Sequence, residues 1–125
     1  VSRAGGLAAA TFALLVAGRL GAAAPPAGSE RFPSLFTGTV SDSECGLDHS
    51  RMKKQHHLPN DLVCTRECCE KYKQEYVLAD HAGDDVYQLD DQKAARRFAN
   101  RVVRVLGELD AESGTIHVIR IEPVR

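Results

Sequence analysis

Between Ser43 and Cys69 the chain carries all four of its cysteines and three of its five histidines. Cys45, His49, Cys64 and Cys68 run as C-x3-H followed by C-x3-C, and three thiolates with one imidazole are donors that close a tetrahedral zinc site. His56 and His57, between the two halves, are substitute donors for His49. Cu(I) would also suit the thiolates.

The same cysteines allow a second chemistry, a disulfide joining Cys45 to Cys64 or Cys68. Four cysteines permit three connectivities, and each leaves two of Cys64, Cys68 and Cys69 to pair with each other. If "DLVCTRECCEKYKQ" is one helix capped by Asn60 or Asp61, Cys64 and Cys69 point about 140° apart. Cys64 and Cys68 then span a full turn, and Cys68 with Cys69 demands a strained ring. One bridge is easier than two. With Thr65 as the cap instead, Cys64 lies just outside the helix, and in both cases Cys64 and Cys68 sit near an amino end, where the macrodipole favours thiolate. A thiol redox site is a third reading. It lacks both the C-x-x-C spacing and a surrounding βαβ pattern. Cys69, on the other flank of the helix, reads as a small buried apolar residue.

These residues need a scaffold, and the pattern around them predicts strands. "FTGTV" (36–40) puts Phe36 and Val40 on one face with Gly38 at a bend. "YVLA" (76–79) and "DVYQL" (85–89) flank a loop in which Gly83 is available for positive φ. "RVVRVLGEL" (101–109) and "TIHVIRIEP" (115–123) form a second hairpin around Gly114, with a bulge expected near Ile119 and Arg120 because Ile121 is out of phase. Between the hairpins Asp90 or Asp91 caps a short helix whose Ala94, Ala95 and Phe98 make a narrow apolar stripe. The expected fold class is mainly β with short helices (α+β), a five-stranded OB-like barrel over 35–125 carrying the Cys/His segment between its first two strands. A split five-stranded sheet with one packed helix is the competing architecture.

The pattern "FTGTVSDSECG…CTRECC…YVLAD…DVYQLDD…VVRVLGELD…TIHVIRIEP" resembles small exported bacterial proteins of unknown function with an OB-like barrel. The resemblance covers Phe36 to Pro123. It places Asp42, Cys45, Gly46, Cys64, Thr65 and Cys68 on the fixed positions of that pattern and His49 on a frequent one. Cys69 departs from it, standing where an aliphatic residue is usual, and no activity comes with the resemblance.

The first 24 residues read as an export signal. "LAAATFALLVA" (7–17) follows Arg3, and "GAAA" (21–24) offers a small-residue cleavage site, with a cut as late as 28 as the alternative. The run is shorter than the ~20 residues a bilayer span needs. Residues 25–34 read as a flexible linker, and the expected location is periplasmic or secreted. Removing residues 1–24 takes away Arg3 and Arg19 and no acid, so the net charge falls from −1 to −3. That balance argues against nucleic-acid binding. No nucleophile elbow, phosphate-cradling loop, HExxH or dinucleotide fingerprint occurs, so no enzyme is expected. Tyr76, Tyr87 and Phe36 read as packing residues, "RMKKQHH" (51–57) as a solvated loop, His81 as a turn residue and His117 as outward-facing. The expectation is a monomeric binding module with zinc, or a disulfide-stabilised interaction protein with an envelope ligand or protein partner.

Overall fold

A computed structural model describes residues 31–125, so the leader and most of the linker lie outside the described residues. Strand β1 spans Ser34–Asp42, β2 Tyr76–Asp80, β3 Asp85–Leu89, β4 Val102–Asp110 and β5 Thr115–Pro123. Helices α1 (Ser50–His56) and α2 (Asp61–Arg66) fall between β1 and β2, and α3 (Gln92–Arg96) falls between β3 and β4. The five strands close into a ring in the order β1-β2-β3-β5-β4. All pairings are antiparallel except a short parallel contact, Gln88 beside Thr115 and Leu89 beside Ile116. Among the described residues no helix is long and apolar enough to cross a membrane.

Alternation explains the ring. Val40, Leu78, Val103, Val105 and Ile116 are fully buried and form the main core with Tyr76, Leu89 and Ile121. Each such aliphatic side chain removed from water stabilises the fold by about 1.5–3 kcal/mol. Ala95 and Ala99 close onto the same core, with Ala94 and Phe98 packed at its margin, as the stripe requires. Phe36 and Tyr87 stack against each other at 5.5 Å between ring centres, and Tyr76 is buried, so the three aromatics serve packing.

The bulge falls where the phase change predicts. Leu106 pairs with Arg120 and Gly107 with Val118, so Ile119 is the unpaired residue of β5. Asp91, through its side chain, accepts from the Ala94 amide and caps α3. Asp90 has a different task, accepting from the Val118 amide and from His117 Nδ1.

Two local expectations change. Positive φ in the first hairpin belongs to Asp84, at +56°, and not to Gly83. Asp80 Oδ1 accepts from the amides of Ala82 and Gly83, both at 3.0 Å, which holds Gly83 in an ordinary conformation and passes the reversal to the next residue. Aspartate tolerates that region better than most side chains. The "RMKKQHH" stretch is not a loop: Ser50–His56 is helical, with the Ser50 amide held by Asp48 Oδ1 and Met52 buried against Cys64 and Cys68.

Gly38 is where β1 passes closest to its neighbour. A Cβ there would stand 2.6 Å from the Ala79 carbonyl oxygen, a backbone atom that cannot swing aside. Gly38→Ala is therefore expected to destabilise the protein by about 1–3 kcal/mol. Urea unfolding of variant and wild type measures this.

Candidate metal centre

Strand β1 ends by delivering Ser41 and Asp42 into the interior, both essentially without solvent exposure. The chain then turns sharply. Gly46, at φ +57°, donates its amide to the Asp42 carbonyl at 2.8 Å, and the Cys45 amide donates to Asp42 Oδ1 at 2.9 Å. This tight turn folds Cys45 back over Asp42. The His49 carbonyl accepts from the Lys53 amide at the start of α1. Asn60 Oδ1 accepts from the Val63 amide and caps α2, so Thr65 is an interior helical residue and Cys64 lies inside the helix.

Helix α2 continues without a break into a π-helical turn, Glu67–Lys71, in which the Tyr72 amide reaches back to the Glu67 carbonyl. Such widened turns are rare and concentrate at functional sites. Here Cys68 is fully buried beside Cys64 and Met52, while Cys69 packs at the margin of the main core. The adjacent cysteines thus serve different cores, and Cys69, expected to be buried, packs against the main core while staying only partly buried.

Four donor atoms converge at the end of β1. One ligand atom each from Asp42, Cys45, His49 and Cys64 lie within 4.8 Å of one another. The Cys45 and Cys64 sulfurs are 3.7 Å apart, and all four cysteines are free thiols. Asp42 Oδ2 and His49 Nδ1 are 3.5 Å apart. A tetrahedral ion with metal–sulfur bonds of about 2.3 Å separates two sulfurs by about 3.8 Å, and an oxygen–nitrogen edge would be about 3.3 Å. Both observed edges are close to these values. The remaining edges are within 4.8 Å.

Hydrogen bonding sets the histidine's tautomer. Ser41 Oγ has one proton, and it is donated to the Gly46 carbonyl at 2.7 Å. The same oxygen stands 3.0 Å from His49 Nε2, so Nε2 must carry the proton in that contact. A neutral imidazole protonated at Nε2 has a bare lone pair at Nδ1. In that neutral form the lone pair faces Asp42 Oδ2, and both atoms are buried without a hydrogen-bond partner. A lone pair and a carboxylate oxygen facing each other in a dry site repel unless a cation lies between them.

Of the residues marked in the sequence, the structure gathers Cys45, His49 and Cys64, and sets Cys68 beside them. Asp42 joins the group, and the metal-site reading above does not include it as a donor. Its one signal is its fixed place in the resembled pattern, three residues before Cys45. His56 is elsewhere, with Nδ1 3.4 Å from the Tyr72 hydroxyl and its ring beside that phenol. His57 ends α1 in a left-handed conformation. His117 is half exposed, held between Asp90 and Arg31.

Burial pushes the thiols up. Desolvation is the largest cause for Cys45, Cys64, Cys68 and Cys69, and the negative charge of Asp42 adds to it at each. Cys68 and Cys69 reach about 12. Without a cation the site holds neutral thiols.

The geometry defines a class first: a small ring of β-strands with a buried Cys/His/Asp group near enough to hold a metal ion. Residues 73–124 match the family described as "protein of unknown function (DUF5818)". No curated protein and no solved structure matches the chain. The matched residues run from just before β2 to the end of β5, so Asp42, Cys45, His49 and Cys64 all lie outside them.

Ser41 is expected to govern affinity through His49. Ser41→Ala removes the acceptor that holds the Nε2 proton and should weaken zinc binding about 10- to 100-fold, read by competition with a chromophoric chelator. The metal-free protein has its own pH signature. Folding retains thiol protons that the unfolded chain loses above the ordinary value of 9.0, so stability is full below that pH. It then declines as pH rises toward about 12, the value for Cys68 and Cys69. Urea midpoints across that range measure it.

Proposed function

We propose that the protein is an exported, non-enzymatic, OB-like binding module that holds one metal ion, zinc as the first candidate, at Cys45, His49 and Cys64. Asp42 supplies the fourth donor, and Cys68 stands ready to replace it as the third thiolate of a Cys3His set. One observation carries this reading: the bare Nδ1 of His49 faces the unpartnered Oδ2 of Asp42 at 3.5 Å, with two sulfurs closing the other side. A proton between those two atoms is the other cation of the right charge. The contact is long for a charge-assisted hydrogen bond, which runs about 2.7–2.9 Å.

The energetics of the segment support a staple. Helices α1 and α2 rest on a small core of Met52, Cys64 and Cys68, with Cys45 and Leu58 at its edge. That is little apolar surface for two helices, and small domains with thin cores use metals or disulfides to compensate. The barrel reading draws on the ring order, with β3 beside β5 in parallel and β4 returning to β1. Export rests on the leader pattern of residues 1–24. The second reading is a disulfide-stabilised envelope interaction protein, with a peptide, glycan or protein partner; the proximity of the Cys45 and Cys64 sulfurs favours it.

Elemental analysis with thiol counting separates the two. About one zinc per chain, with thiols that become reactive after chelation, supports the metal centre; no metal and two reactive thiols supports the bridge. Asp42→Asn gives a sharper test. In the metal-free protein it removes a buried negative charge with one unpartnered oxygen and should leave stability unchanged or raise it. With zinc in excess the wild type gains stability by mass action, and the variant should gain much less. Thermal melts with zinc and with chelator read this reversal of order. Equal gains in both proteins would remove Asp42 from the ligand set.

Zinc affinity should also rise with pH. Two thiols that lose protons on binding give about a 100-fold increase in affinity per pH unit below the thiol range, and three would give about 1000-fold. Measured proton release therefore counts the cysteine ligands and tells Asp42 from Cys68 as the fourth donor.

A further inference from the structure

We infer that the Cys45–Cys64 pair makes the metal centre redox-gated: a small-molecule disulfide oxidises the two thiolates to a Cys45–Cys64 bridge, and the ion leaves. This rests on the metal-binding reading above and deepens it by naming how the ion is released. The argument begins with the sulfurs, which are already neighbours at 3.7 Å. A bridge needs about 2.05 Å, so they must approach by less than 2 Å.

The two cysteines divide the task by their surroundings. Cys64 is fully buried inside α2, where the helix holds it in place. Cys45 is partly exposed, in the turn that follows β1, and has no helix or strand to hold it. Cys45 is therefore the more accessible of the two to an external disulfide. Cys68 is as fully buried as Cys64, and it is Cys64 whose sulfur stands 3.7 Å from that of Cys45. Cys69 packs against the other core and is out of the exchange.

The step balances. The Cys45 thiolate attacks one sulfur of the external disulfide, forming a mixed disulfide and releasing one thiolate. The Cys64 thiolate then attacks the Cys45 sulfur, forming the internal bridge and releasing the second thiolate. Two electrons pass from the protein to the external disulfide. The ion loses both of these sulfur donors and keeps Asp42 and His49, with Cys68 as the one thiol left beside them, and a set that has lost two of its four donors releases it to a competing chelator. Reduction regenerates the thiols and restores the site.

The test uses the full chain loaded with zinc, treated with oxidised glutathione in the presence of a chromophoric zinc chelator. Released zinc is followed by absorbance, and the bridge is mapped by mass spectrometry after digestion under acid. One zinc released for each Cys45–Cys64-linked peptide, reversed by reductant and added zinc, is the expected result. Cys69→Ala should release zinc at the wild-type rate, whereas Cys64→Ser loaded at high zinc should form only the mixed disulfide at Cys45. Zinc that stays bound through complete oxidation overturns the inference, as does a bridge that joins Cys68 or Cys69. A chain that takes up no zinc at all overturns the metal-binding reading itself, a different failure seen before any oxidant is added.

Discussion

The buried contact between Asp42 and His49 is the constraint on which the rest of the site depends. A carboxylate with no solvent exposure, one oxygen tied to the Cys45 amide and the other facing His49 Nδ1 without a hydrogen bond, is unfavourable alone. Leaving such a group uncompensated costs several kcal/mol. The surrounding structure nevertheless holds it there from three directions. Strand pairing carries Asp42 inward opposite Tyr76, the tight turn at Gly46 binds its backbone carbonyl, and Ser41 orients the histidine that faces it. A position over-determined in this way, yet with one carboxylate oxygen unpartnered, belongs to a group of donors near enough to hold a metal ion.

The ring and the helical segment have opposite needs, and the end of β1 joins them. The ring is stabilised by ordinary aliphatic burial: valines, isoleucines and leucines alternating inward from all five strands. The helical segment has one methionine and two cysteines as its buried core. Sulfur chemistry therefore matters more to the segment than to the ring. The segment is also where the π-helical turn lies, and that turn lets two consecutive cysteines serve two different cores. The residues matching the family of unknown function include β2 to β5 of the ring but not Asp42, Cys45, His49 or Cys64.

Much of the scaffold was legible because its signals are local. Period-two alternation marked the strands, and β3 and β5 fall on the residues the pattern assigns. The out-of-phase Ile121 announced the bulge at Ile119. Asn60 and Asp91 cap the helices they precede, since a side-chain oxygen two or three residues from a free amide acts wherever the rest of the chain goes. The helix at Ser50–His56 was not legible. Its seven residues lack a sustained apolar stripe, and one buried contact, Met52 against the cysteines, holds it in place. Asp84 in place of Gly83 at positive φ has a similar cause, because Asp80 binds two amides of the loop and shifts the turn by one residue.

By itself the sequence determined that sulfur and imidazole donors would gather in one short segment, and that a mainly β domain would carry them. Residue types and spacing decide these, because ligand chemistry and strand alternation are properties of neighbours along the chain. Only the tertiary structure decided which donors meet. Asp42 enters the group because pairing of β1 with β2 turns it inward, and His49 is chosen over His56 and His57 because Ser41 stands across from its ring. Convergence of atoms from four places in the chain depends on distances through space, and no local pattern records them.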